Sequence, residues 1–280
     1  MTIFEAYNHI KQKLKAAGIE DSVFEAKVII KHITGLSNSE ILTAYTKELT
    51  EYEQNNLTAI LRQREIRYPL QYILGEWDFY KYRFKVGVGV LIPRSDTEIL
   101  VEKCCEYLEN KPSPKILDLC AGSGCIGISL ALDFPDSAVV MVEKYPEALR
   151  YIEQNIEFCG AYNSLGIKGD VCDGTACEQT YDLIVSNPPY IPPNEMAITS
   201  PETKFEPETA LLGGQDGLDF YRAIINNYKN SLKDGGMLAF EVGINEAERV
   251  KSLLTDSGFV KITITKDLNQ IERVVTAIKG

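Results

Sequence analysis

The chain has 280 residues, 45% of them in the hydrophobic set and 25% charged, an ordinary globular profile with room for one large domain or two. Its net charge is −11, and the excess is local: residues 1–75 hold nine Lys/Arg and nine Asp/Glu, residues 76–280 twenty and thirty-one. An acidic second part is a poor match to a phosphate backbone, so direct nucleic-acid binding is not expected. No run approaches the roughly 20 apolar residues of a membrane span, and the mixed charges of the N-terminal stretch fit no secretory signal, so the expected location is cytoplasmic.

Residues 1–75 read as a helical domain. Capping boxes recur at Thr2…Glu5, Ser22…Glu25, Ser37…Glu40 and Thr50…Glu53. Phe4, Tyr7, Ile10 and Leu14 fall at helical spacing, as do Phe24, Val28 and Ile29, and then Leu57, Ile60 and Leu61. Gly18 and Gly35 are expected helix stops. His9 and His32, the only histidines, read as helix-surface residues rather than ligands. By analogy, a small helical domain beside an enzyme domain helps to hold a macromolecular substrate.

Residues 76–92 change pattern. The aromatic and β-branched stretch from Trp77 to Val86 predicts a short hairpin linking the two parts, broken by Gly87 and Gly89. Pro93-Arg94-Ser95-Asp96-Thr97-Glu98 opens a helix, with Ser95…Glu98 as a further capping box near an expected ligand crevice. From residue 115 strands and helices alternate. Strands are expected at Lys115–Leu119, Ala138–Val142, Ser164–Lys168, Leu183–Ser186 and Met237–Val242, with helices over Ile126–Leu132 and about Glu147–Cys159. Val260–Thr265 and Glu272–Ile278 read as a closing β-hairpin. This alternation predicts an α/β fold over residues 93–280, a doubly wound, mostly parallel sheet that binds ligands at the carboxyl ends of its strands.

Two constellations sit at those strand ends. Asp118-Leu-Cys120-Ala121-Gly122-Ser123-Gly124 follows the first strand and opens a helix, with two glycines that let the backbone approach a ligand closely. The G-x-G-x-x-G spacing of Gly122, Gly124 and Gly127 formally fits a nicotinamide site. The preceding Asp118 points instead to the D-x-x-x-G-x-G loop under S-adenosylmethionine in doubly wound methyltransferases. Glu143 ends the second strand, where a carboxylate can accept ribose hydroxyls. Asp170 and Val171 end the third, placed to bond the adenine amino group and to pack on its ring.

The second constellation is Asn187-Pro188-Pro189-Tyr190, after the apolar run Leu183–Ser186. Two prolines cannot continue a ladder, and Asn187 before a proline favours extended backbone, so the tetrapeptide forms a stiff ledge. The Asn187 side chain and the Pro188 carbonyl can accept the two protons of a planar –NH2 group, and Tyr190 can flank its plane. That arrangement suits transfer to an amino or amide nitrogen and offers no relay for hydride chemistry.

The seven cysteines, Cys104, Cys105, Cys120, Cys125, Cys159, Cys172 and Cys177, include no C-x-x-C. With no histidine near them they are expected to be free packing thiols, and no metal site is expected.

Together these motifs resemble the protein-(glutamine-N5) methyltransferase family that modifies peptide-chain release factors. The resemblance covers the helical first part, Pro93–Glu98, Ile116–Gly124, Asn187–Tyr190, the segment Gly213-Gly214-Gln215-Asp216-Gly217-Leu218-Asp219, and Lys266-Asp267-Leu268 with Arg273-Val274-Val275. It implies a seven-stranded Rossmann-like methyltransferase sheet and transfer of a methyl group from S-adenosylmethionine to the glutamine N5 of the release factors' GGQ motif. It places the cofactor on Cys120 to Gly124, Glu143, Val171 and Asn187, and the glutamine on Asn187, Pro188, Pro189 and Tyr190. Cys120 departs from the glycine that many relatives carry there, and Val171 from an aromatic. Gly213-Gly214-Gln215 itself reads as a chance match to GGQ. The alternatives are an adenine-N6 methyltransferase on nucleic acid, which shares the Asn-Pro-Pro-Tyr logic but calls for a basic face, a non-catalytic sensor of S-adenosylmethionine, and a nicotinamide oxidoreductase.

Overall fold

In the computed structural model, which describes all 280 residues apart from the side chain of Ile198, helices come first. They are α1 (Ile3–Ala16), α2 (Ser22–Thr34), α3 (Asn38–Thr43), α4 (Glu51–Glu65) and α5 (Leu70–Leu74). The hairpin β1 (Glu76–Phe79) and β2 (Tyr82–Lys85) follows, then α6 (Glu98–Leu108), β3 (Lys115–Leu119), α7 (Cys125–Asp133), β4 (Ala138–Glu143), α8 (Pro146–Cys159), β5 (Ser164–Lys168) and β6 (Tyr181–Ser186). The chain closes with α9 (Asp219–Tyr228), β7 (Leu232–Glu241), α10 (Ala247–Asp256), β8 (Phe259–Lys266) and β9 (Glu272–Lys279). No helix among the described residues is long and apolar enough to cross a membrane.

Residues Met1–Gly75 with Ser200–Phe205 form one unit, and Glu76–Thr199 with Glu206–Gly280 a second. In the first, complete capping boxes start α1, α3 and α4 at Thr2, Ser37 and Thr50. The Ser22…Glu25 box does not form: Asp21 occupies the cap without a side-chain bond, and Glu25 turns to Arg64. An ion pair in the core outcompetes a cap that water can replace. The buried face of α1 is Ile3, Ala6, Ile10 and Leu14, one step round from the expected stripe, and Phe4 is exposed with its ring edge-on to Tyr45. Phe24 is likewise exposed, and α2 buries Ala26, Ile29, Ile30 and Ile33 instead. Leu57, Ile60 and Leu61 are core residues as expected. Gly18 and Gly35 take left-handed backbone at the ends of α1 and α2, and both histidines are exposed.

Arg64 is 1% exposed. Its guanidinium holds Glu25 through two bonds of 2.9 and 2.8 Å, Glu202 at 3.1 Å and the Tyr68 carbonyl. Burial pushes the Glu25 carboxyl up, against the pull of Arg64.

The second unit is a seven-stranded sheet in the order β5-β4-β3-β6-β7-β9-β8. β3 to β7 run parallel, and β9 is antiparallel to both β7 and β8, closing the sheet with the expected hairpin. Both faces are covered, which is why the central strands read as unbroken apolar runs. Ile116, Leu183, Val185, Met237 and Ala239 pack with α6, α7 and α8 on one side. Leu117, Leu119, Ile184, Leu238 and Phe240 pack with α9 and α10 on the other. The observed strands extend several expected ones: β6 starts at Tyr181 and β7 at Leu232, because their first residues join the ladder without adding to the apolar run. The β1–β2 hairpin buries Phe79 and Phe84, and Asn155 of α8 bonds both the N–H and the carbonyl of Lys85.

The expected Ser95…Glu98 box does not form either. Ser95–Thr97 is a short 3-10 turn whose cap, Arg94, makes no side-chain cap bond, and Glu98 accepts the Tyr80 N–H instead.

Arg64→Ala is expected to lower the unfolding free energy of the helical unit by about 3–5 kcal/mol, since it removes a buried guanidinium and leaves two partly buried carboxylates without it. Lys13→Ala, which breaks the exposed pair with Glu65, should cost under about 1 kcal/mol. Chemical denaturation followed by far-UV circular dichroism measures both.

Candidate active site

The chain runs outward from β3 through β4 to β5 and then returns to β6 on the other flank of β3. At that reversal the loops after β3 and β6 leave side by side, with Leu119 opposite Ser186 and the Ser186 hydroxyl donating to the Leu119 carbonyl at 2.6 Å. Such a switch point opens a crevice at the carboxyl ends of the strands. Here it is a cleft lined by residues of the second unit alone.

The loop after β3 makes its floor. Cys120, Gly122 and Gly124 take positive φ angles of 59°, 56° and 79°. Cys120 stands where the resemblance calls for a glycine, and its left-handed backbone gives the reason; the cysteine accepts a conformation that favours glycine. The loop is tied down from several sides. Ala121 N–H donates to the Val142 carbonyl at 3.1 Å, Gly122 N–H to Glu143 at 2.9 Å, and the Asn155 amide to the Ser123 carbonyl at 2.9 Å. Asp118 lies beneath, fully buried, accepting the Gly127 N–H at 2.9 Å, and burial pushes its carboxyl up to about 8. A Cβ on Gly127 would sit 2.6 Å from Met141, so the third glycine serves close packing of α7 on the sheet.

Of the residues expected at a cofactor, Cys120, Ala121, Gly122, Ser123, Glu143, Asp170, Val171 and Asn187 line the cleft, and Gly124 does not: it caps α7. Glu143, at the end of β4, accepts the N–H groups of Gly122 and Tyr145; burial raises its carboxyl and those N–H groups draw it back. Two of its lone-pair sites stay open for hydroxyls. Asp170 accepts the Cys172 N–H and pairs with Lys144 at 2.7 Å, which holds its carboxyl low. Val171 is buried as an apolar wall. Buried carboxylates, an apolar wall and a glycine-turned backbone form a donor set that suits a charged, ribose-bearing adenosine ligand.

The wall also contains residues that strand-end reasoning left out, among them Val90, Thr97, Tyr145 and Phe220. Phe220 supplies an aromatic side chain to a cleft whose Val171 position lacks one. The Pro93–Glu98 segment is fixed by ion pairs on both sides. Arg94 pairs with buried Glu206, whose other oxygen takes the Ile92 N–H. Arg273 bridges Asp96 at 3.0 Å and Asp267 at 3.2 Å, joining this segment to the late Lys266–Val275 stretch.

Asn187 and Pro189 line the cleft; Pro188 is buried and Tyr190 half-buried, and neither forms part of its wall. The Asn187 amide nitrogen donates to the Thr97 hydroxyl at 3.2 Å, which leaves its carbonyl oxygen as the open acceptor. The Tyr190 hydroxyl donates to Glu241 at 3.3 Å, and burial together with that carboxylate drives the phenol's proton affinity up. Past the tetrapeptide, Ile191 N–H bonds the Leu211 carbonyl and Gly213 N–H the Ile191 carbonyl. A Cβ on Gly213 would lie 2.5 Å from the Tyr190 Cα, one on Gly217 2.6 Å from the Tyr190 carbonyl oxygen, and one on Gly243 3.0 Å from its ring. Gly213 of the Gly213-Gly214-Gln215 run therefore seats Tyr190, Gly214 packs on Asp219, and Gln215 is exposed. All seven cysteines are free thiols, and no cluster that could hold a metal occurs among the described residues.

Residues 5–75 match the PrmC N-terminal domain model and residues 95–201 the methyltransferase small domain model. The chain is 38% identical to the release factor glutamine methyltransferase of Geobacter sulfurreducens over 98% of this chain and 95% of that one. It is 35% identical to the enzyme of that name from Clostridium acetobutylicum, over 99% and 97%. The solved 16S rRNA N2 G1207 methyltransferase of T. thermophilus, in complex with AdoMet and guanosine, shares the fold at a TM-score of 0.54 and 21% identity, covering 73% of this chain and 50% of that one.

Gly213→Ala is expected to cost about 1–3 kcal/mol, because a side chain must displace the Tyr190 backbone. Gln215→Ala next to it should stay within about 0.5 kcal/mol. Denaturant titration of the two variants separates the structural glycine from its exposed neighbour.

Proposed function

The chain belongs to the release factor glutamine methyltransferase family, and from that premise we propose that it methylates the side-chain amide nitrogen of the glutamine in the GGQ motif of peptide-chain release factors, with S-adenosylmethionine as donor. The observation that carries this reading is the Asn187 side chain. Its nitrogen is engaged by Thr97 and its oxygen is left open at the cleft, beside the loop after β3.

Bound S-adenosylmethionine supplies a methyl sulfonium, an electrophile that needs no acid to activate it. Glu143, with lone pairs left after binding two N–H groups, would take ribose hydroxyls, and Val171 and Phe220 would enclose the adenine. Asp170 would meet the adenine amino group, on a carboxylate that Lys144 keeps ionised.

The harder partner is the glutamine. An amide nitrogen is a weak nucleophile because its lone pair is delocalised into the carbonyl. The chain's task is to fix that nitrogen with its lone pair toward the cleft, at the roughly 3–3.5 Å of a reactive approach. The Asn187 carbonyl oxygen and the Pro188 carbonyl would accept its two N–H groups. Both bonds strengthen as the nitrogen acquires positive character, so they favour the transition state over the ground state. Tyr190 would flank the amide plane. The helical unit and the partner surface of the release factor belong to the same proposal, with residues 1–75 as the substrate-recognition domain, residues 76–92 as the linking hairpin and residues 93–280 as the methyltransferase domain.

The test is transfer from methyl-labelled S-adenosylmethionine with a release factor, bulk RNA and bulk DNA offered in parallel, and the acceptor mapped by mass spectrometry. Label on the GGQ glutamine is the expected result. Label on adenine alone would overturn the substrate and leave the methyl-transfer chemistry standing. Asn187→Ala should lower kcat about 10²–10³-fold, the effect of removing one preorganised contact. Its circular dichroism spectrum should match that of the unaltered protein, and near-normal turnover would refute the assigned role.

A further inference from the structure

Glu241 is the last residue of β7, and it is buried beside the catalytic ledge without lining the cleft. Phe240 pairs with Ser186 across the β6–β7 ladder, so Glu241 and Asn187 leave adjacent strand ends together. One carboxylate oxygen accepts the Tyr190 hydroxyl at 3.3 Å. The other is buried without a hydrogen-bond partner. Thr97 is itself buried, and its hydroxyl lowers the proton affinity of the Glu241 carboxyl. Thr97 Oγ1 already accepts the Asn187 amide at 3.2 Å. Its own proton therefore points away from Asn187, and the Glu241 carboxyl is the anion whose titration Thr97 influences.

We propose that Glu241 is a positioning residue for the glutamine clamp: through the Thr97 hydroxyl it fixes the Asn187 amide with its oxygen toward the substrate, and through the Tyr190 hydroxyl it holds the far end of the ledge. An asparagine amide is nearly symmetric in shape, and only its hydrogen-bond partners decide which end faces a ligand. A flipped Asn187 would present N–H groups to a substrate –NH2 and repel it. An ionised Glu241 can only accept. It draws the Thr97 proton toward itself and leaves the Thr97 lone pair for the Asn187 nitrogen. Once protonated, Glu241 can donate to Thr97, and the Thr97 proton becomes free to bond the Asn187 oxygen and occupy the acceptor the substrate needs.

The groups facing Glu241 come from several elements. They are Arg273 of β9, Asp96 in the turn before α6, Tyr190 and Thr97, with Tyr221 of α9 donating to its backbone carbonyl. Burial pushes the carboxyl up to about 7, and Thr97, Tyr190 and Arg273 oppose that rise. The clamp is therefore set above this value and released below it, so kcat should rise with pH through an ionisation near neutrality. Glu246, also raised to about 7, and Asp118, raised to about 8, lie in the same range. The limb is assigned by its loss in a Glu241 variant.

The inference rests on the function proposed above, and the experiment keeps the two apart. Unaltered protein, Glu241→Gln, Thr97→Val and Thr97→Ser are assayed on a release factor for kcat and KM from pH 5.5 to 9, and calorimetry measures S-adenosylmethionine affinity. Glu241→Gln can donate to Thr97 at every pH, so its kcat should fall about 10²-fold, a misplaced-clamp effect, and its acidic limb should vanish. Cofactor affinity should stay within about twofold. Thr97→Val should show a similar loss of kcat, and Thr97→Ser, which retains the hydroxyl, a smaller one. Should Glu241→Gln not fold, the Thr97 pair decides. Unchanged kcat in both Glu241→Gln and Thr97→Val, or a loss of cofactor affinity that parallels the loss of kcat, would overturn the proposal. Absence of glutamine label with the unaltered protein would instead overturn the function on which it rests.

Discussion

The parallel pairing of β3 with β6 is the constraint on which the site depends. The chain builds one flank of the sheet from β3 to β5, then crosses back and lays β6 against the free edge of β3. The loop of Cys120 to Gly124 and the ledge of Asn187 to Tyr190 lie 63 or more residues apart in sequence, and a single register, Leu119 opposite Ser186, makes them neighbours. The hydrophobic layers on both faces hold that register, because a one-residue slip would turn every core side chain of β6 to the wrong face.

Over this frame, the site is rigid because polar groups beneath it are committed. Asp118 holds the start of α7, Glu143 holds Gly122, Glu206 holds Ile92 and Arg94, and Glu241 holds Tyr190. These are buried carboxyls, costly to place without partners. Each spends that cost on fixing a loop that would otherwise be free to move. Glycines complete the fit where no Cβ can be tolerated, most clearly Gly213, Gly217 and Gly243 around Tyr190. The reaction asks for little acid–base chemistry and much orientation, and a scaffold of fixed loops suits that demand.

The short motif segments have separate physical roles in three dimensions. Arg273 and Asp96 pair, so the late Lys-Asp-Leu…Arg-Val-Val stretch and the Pro-Arg-Ser-Asp-Thr-Glu stretch are two sides of one contact. The Gly213–Asp219 stretch is the seat of Tyr190 rather than a mimic of the substrate. In the helical unit, the expected cap at Ser22 gave way to the Arg64–Glu25–Glu202 cluster, because a buried guanidinium leaves its partners less choice than a helix terminus in water.

The amino-acid sequence by itself determined the alternation of strands and helices, the parallel sheet, the glycine-turned loop and the ledge, since each is written in local signals: apolar runs, positions that need glycine, and prolines that end a ladder. It also carried the family resemblance, whose motifs are contiguous. The helical faces at Phe4 and Phe24 were read one step off, because an amphipathic stripe wider than the buried face fits more than one rotation. What only the tertiary structure decided is which distant side chains share a hydrogen bond. Thr97, Asn187, Tyr190 and Glu241 come from three separate stretches, and nothing in their spacing links them. Their assembly depends on strand order and register, which long-range packing selects, and so the direction in which one asparagine amide points is a property of the folded sheet.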